Sequence, residues 1–243
     1  DALHWFLKTG VSGEPFLFHD YPVSQISGPH IEIEQFMRLH PLETKRDIEN
    51  YLIRLNAVEE KFGGLVDALE ERRKLGVVVP TFILKDAYQF CNQVASLQAE
   101  NSSFYTSFEE RLSSIGLLNP KSKDAYLQEC IEEVNESVLP AYKRLAAYLL
   151  QLERSSLSIA GVWQLPNGDD YYRFCLLRNT GVSNDPDELY NLGKLEMNRL
   201  KGELKILLEL AGEPVVEDVS ITLQELSDSS GFTFDTTSMG RTA

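Results

Sequence analysis

Histidine is the residue of this sequence best suited to metal or acid–base chemistry, and all four copies lie in the first 40 positions: His4, His19, His30 and His40. A helical zinc site of the H-E-x-x-H type needs two His four residues apart, because that spacing points both imidazoles from one helix face at one ion. No pair here has it. His30-Ile31-Glu32-Ile33-Glu34 places a His and two acids at two-residue intervals, a strand geometry with no strand pattern around it. Solvated or loop-packing roles are expected for each His. No metal ligand, cofactor-binding residue or catalytic residue is assigned in the chain. The sequence has no G-x-S-x-G elbow, Walker A loop or G-x-G-x-x-G turn. Cys91, Cys130 and Cys175 each sit in a helical apolar pattern without a C-x-x-C pair, which argues for buried small residues rather than a zinc site or a disulfide scaffold. A single disulfide stays open. The acid pairs Glu59-Glu60, Glu109-Glu110 and Glu132-Glu133 read as solvated helix faces, and Asp169 or Asp170 as a helix cap.

One stretch is denser in polar and aromatic chemistry, Gly161-Val162-Trp163-Gln164-Leu165-Pro166-Asn167-Gly168-Asp169-Asp170-Tyr171-Tyr172-Arg173. A Pro-Asn-Gly turn there delivers two tyrosines and a guanidinium at a helix start. Such groups bind a carboxylate or a peptide backbone. Tyr171, Tyr172 and Arg173 are therefore the candidate substrate-binding residues. Against this stands a packing role for Trp163 and one tyrosine. Neighbours on a helix point about 100° apart, so Tyr171 and Tyr172 cannot both face the core.

The elements that would hold this turn are helical. An aromatic loop, Phe16-Leu17-Phe18-His19-Asp20-Tyr21-Pro22, is broken by Pro15, Pro22 and Gly28-Pro29, so residues 1–43 read as mostly loop with a short helix from Ile31 to Leu39. Thr44 and Asp47 form a capping-box signal before Ile48, Tyr51, Leu52, Leu55 and Val58. Gly63-Gly64 is a candidate interruption, and Gly76 suits a helix end. Val77-Val78-Val79-Pro80 predicts an extended connector. Further helices follow around Phe82 to Leu97 and Phe104 to Leu112, the latter stopping at Gly116. A long one runs from Ser122 to Leu152, with a kink or break at Pro140. Asp185-Pro186 starts a helix carrying Leu189, Leu192, Met197, Leu200, Leu204 and Leu207, and Ser220 caps a last one to Leu226. The predicted fold is an all-α, irregular multi-helix bundle: one region over 1–243, with the bundle at 44–226 and a loose tail at 227–243.

Composition narrows the partners. With 23 Lys+Arg against 37 Asp+Glu, the net charge is −14. That is the wrong sign for nucleic acid or an anionic membrane surface. No apolar run reaches the ~18 residues of a membrane span. Asp1 to Leu7 reads like the middle of an amphipathic segment, so a fragment of a larger helical protein is expected.

Gly-x-Trp-x-Leu-Pro-x-Gly-x-x-Tyr-Tyr, Gly161 to Tyr172, resembles the signature region of the bacterial Domain of Unknown Function 885 family. Other segments resemble it in the same order: Pro15 to Val23, His40-Pro41, Asp47 with Tyr51 to Leu55, Gly76 to Pro80, Val138 to Tyr142, and Leu192-Gly193 with Glu196 to Leu200. The likeness spans Pro15 to Leu208. It implies an all-helical protein of several hundred residues, similar to helical zinc metallopeptidases, with a His–Glu zinc helix in a C-terminal half that this chain lacks. None of the family's metal ligands falls on a residue here. Two departures stand out, Asn179 to Val182 in place of a Thr-rich run and Tyr190 in place of a frequent His.

The resemblance implies the non-catalytic helical portion of a zinc-dependent metallopeptidase-like hydrolase, forming one wall of a cleft for a peptide-like substrate. Its partner would be the missing C-terminal half. The alternative is a stand-alone helical binding or structural domain. The family likeness points to an exported lipoprotein, three cysteines without a recognisable pairing pattern to the cytoplasm.

Overall fold

A computed structural model describes residues 2–113, 119–183, 185–213, 215 and 218–229. Among these the protein is all-α, with no strand. Its helices are α1 (Ala2–Ser12), α2 (Pro29–Leu39), α3 (Lys45–Asn56), α4 (Val58–Lys74), α5 (Thr81–Ala95), α6 (Ser103–Ser113), α7 (Pro120–Glu133), α8 (Leu139–Glu153), α9 (Gly168–Thr180), α10 (Pro186–Leu210) and α11 (Val219–Ser229). Where the sequence reading has one region over 1–243, the contacts define two compact units, one up to Cys175 and one from Leu176 onward.

Local signals set many of the boundaries. At Thr44 the capping box closes: the Thr44 hydroxyl accepts the Asp47 amide at 3.2 Å, and the Asp47 carboxylate accepts the Thr44 amide at 2.8 Å. Those bonds hold the Asp47 carboxyl below the usual carboxylate range. At the end of α4, Val77 N–H bonds Arg72 O and Gly76 N–H bonds Arg73 O, while Gly76 takes φ +81°. This is a Schellman ending, for which glycine carries no Cβ penalty. Gly63 and Gly64 do not interrupt α4. Each costs ~0.5–1 kcal/mol against Ala, but Phe62, Leu65 and Leu69 are buried on the same helix, and burying one such side chain contributes ~1.5–3 kcal/mol.

The interruption expected at Pro140 takes a particular form. Residues Val134–Val138 make a π-turn, and Leu139 N–H reaches back five residues to Val134 O. Pro140 then occupies the first turn of α8, where its missing N–H costs little. The long helix is thus re-registered rather than ended.

α8 is the centre of the first unit, lying along α5 and α4. Ala141, Tyr142, Leu145 and Leu149 are fully buried. Tyr142 meets Phe62 edge-on at 4.9 Å and donates its hydroxyl proton to His30 O at 2.7 Å. Tyr51 stacks on Phe108 and donates to Phe104 O. His40 ties α2 to α3: one ring nitrogen meets Asp47 O at 2.8 Å, the other meets Arg54, and its carbonyl accepts from Arg111.

Residues 1–43 depart from the predicted loop. α1 and α2 lie within them, and the irregular parts are 13–28, with a 3-10 turn at Glu14–Phe16, and 40–43. Pro29 starts α2, because a proline in the first helical turn loses no helix bond. In the second unit Asp185 caps α10 by accepting Asp187 N–H. Asp218 rather than Ser220 caps α11, through Ser220 N–H at 2.8 Å. The expected stop at Gly116, and the tail beyond residue 229, lie outside the described residues.

Candidate functional site

The dense stretch folds as a tight corner. Gly161 opens a 3-10 turn at Val162–Gln164. Leu165 is buried, and Asn167 takes the left-handed conformation, φ 52°, which its short polar side chain tolerates. Gly168 is obligatory: a Cβ there would stand 2.1 Å from the Val162 carbonyl oxygen. α9 begins at Gly168, so Asp169 and Asp170 lie inside its first turn instead of capping it. There their charges complement the helix dipole.

The inner side of the corner is fastened to the aromatic loop. His19, 8% exposed, meets Pro166 O through Nε2 at 2.6 Å, which makes Nε2 the donor. Its Nδ1 is buried and meets no hydrogen-bond partner among the described residues. Phe16 stacks on Phe174 at 5.4 Å, and Tyr171 lies 4.9 Å from the His19 ring and 5.5 Å from Phe16. Burial, reinforced by the Cys175 thiol, pushes the Tyr171 hydroxyl up to about 12. Gly13 makes room for Phe174, since a Cβ would sit 2.6 Å from that ring. The loop is in turn held to α4, where Arg72 pairs with Asp20 at 2.6 Å, bonds Asp20 O and lies over the Phe18 ring.

The outer side is open. Trp163 is 70% exposed, Tyr172 is 44% exposed, and Arg173 is exposed. Of the three candidates, Tyr171 therefore faces the packed loop, whereas Tyr172 and Arg173 face outward. Sequence reasoning missed the latch that joins this corner to His19. The signal was present as a buried-type aromatic run around one His, but a 147-residue separation hides such a contact.

The other chemistry-bearing residues are dispersed. His4 is exposed on α1, while His30 is fully buried beside Phe90, and among the described residues neither of its ring nitrogens has a hydrogen bond of normal geometry. Burial pushes the Cys91 and Cys130 thiols up to about 12, which keeps them as protonated core residues. None of the three cysteines is in a disulfide. Among the described residues no three His, Cys, Asp or Glu side chains gather as metal ligands. A separate groove of about 500 Å³ runs between α2 and the α3–α4 pair, lined by Pro29, Ile33, Phe36, Arg54 and Lys61. Sequence reasoning did not find it, because its walls come from three helices.

A packed all-α body with an aromatic-latched corner defines the class. The chain matches "Bacterial protein of unknown function (DUF885)" over residues 1–243, and it belongs to that family. Its fold is similar to the crystal structure of "the putative lipoprotein from Colwellia psychrerythraea", with a TM-score of 0.85 and 23% identity over 92% of this chain. At that identity the likeness carries the fold alone. The match covers 38% of that solved chain, well under half its length. A comparison with curated proteins finds no match.

Proposed function

We propose that this chain is the helical, non-catalytic portion of a longer metallopeptidase-like hydrolase, and that the 161–173 corner forms part of one wall of its substrate cleft. The observation that carries this reading is the two-sidedness of the corner. Its inner face is fixed by His19, Phe16 and Tyr171, while Trp163, Tyr172 and Arg173 project from a backbone that Gly168 holds tight. Pre-positioned aromatic and guanidinium groups lose little entropy on binding. A phenol and a guanidinium together suit a carboxylate or carbonyl of a peptide-like ligand.

Zinc is the cofactor that the family resemblance implies. The described residues do not fit it, since no ligand set converges, and no step here is routed through a metal. On this reading the metal belongs to the part of the protein outside this chain. An exported location is supported by the lipoprotein name of the solved relative, with the cytoplasm as the alternative. Among the described residues no helix is long and apolar enough to cross a membrane.

The test is hydrolysis of a peptide panel by the full-length protein and its Tyr172→Phe and Arg173→Ala variants. A lost charge-assisted bond of ~1.5–3 kcal/mol corresponds to a fall of about 10–100-fold in kcat/KM, with Tm unchanged. Wild-type rates in both variants would sink the assignment. The second reading, a stand-alone binding domain, is favoured by the α2–α4 groove, where Phe36 is half exposed beneath the Arg54 guanidinium.

A further inference from the structure

The groove between α2 and the α3–α4 pair is lined entirely by residues of the first compact unit and holds about 500 Å³. That lies within the ~300–1,000 Å³ of small-molecule clefts. Pro29, Ile33 and Phe36 of α2 give it an apolar wall, and the buried Met37 and Val58 line it as well. Its charged residues are Arg54, Lys61 and Glu32, while Glu60 lines an adjoining hollow over Gly64. The three charges are not equivalent. Glu32 accepts the Gly28 N–H at 2.9 Å, at the start of its own helix. Lys61 is exposed and makes no ion pair among the described residues. Arg54 is held on two sides. Its guanidinium lies 5.1 Å from the centre of the Phe36 ring. It also donates to Nδ1 of His40, a residue only 4% exposed. The His40 Nε2–H is committed to Asp47 O at 2.8 Å, which leaves Nδ1 as the acceptor. A buried imidazole thus fixes an exposed guanidinium against an aromatic ring in the groove, with most of its N–H donors unused.

Two cations against one engaged carboxylate leave the groove positive, on a chain whose net charge is −14. A monoanion balances that difference, whereas a dianion would add repulsion from Glu32. A pre-positioned guanidinium meets a carboxylate through two parallel N–H donors. The Ile33–Phe36 wall suits an alkyl or aryl body. We propose that this groove binds a small amphiphile with an apolar body and one carboxylate, the acid held by Arg54 and Lys61 and the body laid on Ile33 and Phe36. An alkyl acid and the free carboxyl end of a short apolar peptide share this chemistry. The inference rests on the reading of this groove as a binding surface. It does not depend on the 161–173 corner.

Calorimetric titration of the full-length protein with decanoate, decanol and decylammonium tests it, with acetyl-Leu-Phe, free or amidated at its C-terminus, as the peptide probe. At least one acid is expected to bind about 10–100-fold more tightly than its uncharged counterpart, the factor of one charge-assisted bond. The tighter of the two acids names the source. Lys61→Gln and Arg54→Gln are each expected to reduce that preference by about tenfold, and Lys61→Gln to leave decanol binding unchanged. Neutral probes that match both acids, or decylammonium binding more tightly than decanoate, would overturn the carboxylate assignment while the binding reading stands. An acid preference that survives both substitutions would overturn the placement in this groove. If no probe binds with a Kd below about 1 mM, the inference and the binding reading fall together, and the corner still stands on its Tyr172 and Arg173 rates.

Discussion

α8 and α10 both carry leucines at helical spacing, and they meet opposite surroundings. In α8, Ala141, Tyr142, Leu145 and Leu149 are wholly buried along α4 and α5. In α10, Leu200 and Leu207 lie in an apolar row that is half exposed or more. The same contrast recurs on a smaller scale at the corner, where Tyr171 is packed and its neighbour Tyr172 is open. Apolar spacing fixes which side of a helix avoids water. It does not say whether the covering element lies in the same compact unit.

The largest test of this contrast pairs a core residue with an α10 residue. Phe62 is buried and sits edge-on to Tyr142, so Phe62→Ala is expected to cost ~3–5 kcal/mol. Leu200→Ala, at a half-exposed site, is expected to stay within ~0.5 kcal/mol. Urea titration of both variants of this chain checks the pair. Comparable losses would mean that α10 is already covered and that the contrast is false.

A glycine pair sharpens it next. Gly64 has open space around its would-be Cβ, so Gly64→Ala is expected to stabilise α4 by ~0.5–1 kcal/mol. Gly168 faces the Val162 carbonyl oxygen, which cannot move without opening the corner. Gly168→Ala is expected to cost ~1–3 kcal/mol and to shift the emission of the exposed Trp163. A neutral Gly168→Ala would show that the corner is not held tight.

Much of the fold was legible because its signals are local. The Thr44–Asp47 box, the Gly76 ending, Pro186 at a helix start and the stripe through Leu145 are each decided within a few residues. The N-terminal region was misread for the opposite reason. Pro22 and Gly28-Pro29 were weighed as breakers of a loop, yet Pro29 opens α2. At the site, the 100° rule on adjacent residues implied one inward and one outward tyrosine. Which one turns inward depends on Phe16 and His19, about 150 residues away in the chain, and no periodicity carries that information.

His30 offers a smaller effect with a definite sign. Its burial beside Phe90 lowers its pKa below the ordinary His value, with the Ser24 backbone and the Glu32 carboxylate opposing. The unfolded chain therefore binds the proton more readily than the folded one. Stability from this group is complete above the unfolded pKa of about 6.5 and is lost as pH falls below it, by at most ~1.4 kcal/mol per pH unit. A His30→Gln variant is expected to flatten the stability profile below that point. An unchanged slope would assign the acid sensitivity to other groups.

The finest distinction is between adjacent tyrosines. Tyr171 packs against Phe16 and His19, and its hydroxyl meets the weakly accepting Cys175 thiol. Removing that hydroxyl leaves the ring contacts in place. Tyr171→Phe is thus expected to cost at most the ~0.5–1.5 kcal/mol of one hydrogen bond, toward the low end for a sulfur partner. Tyr172 is 44% exposed, and its hydroxyl loss is expected to stay within ~0.5 kcal/mol. The difference is small, but its direction discriminates. Under the cleft reading, the variant that keeps its stability, Tyr172→Phe, is the one that loses turnover in the full-length protein, and Tyr171→Phe shows the reverse pattern. If Tyr171→Phe loses turnover at unchanged stability while Tyr172→Phe keeps it, the packed side of the corner faces the ligand, and the outward assignment of Tyr172 and Arg173 fails.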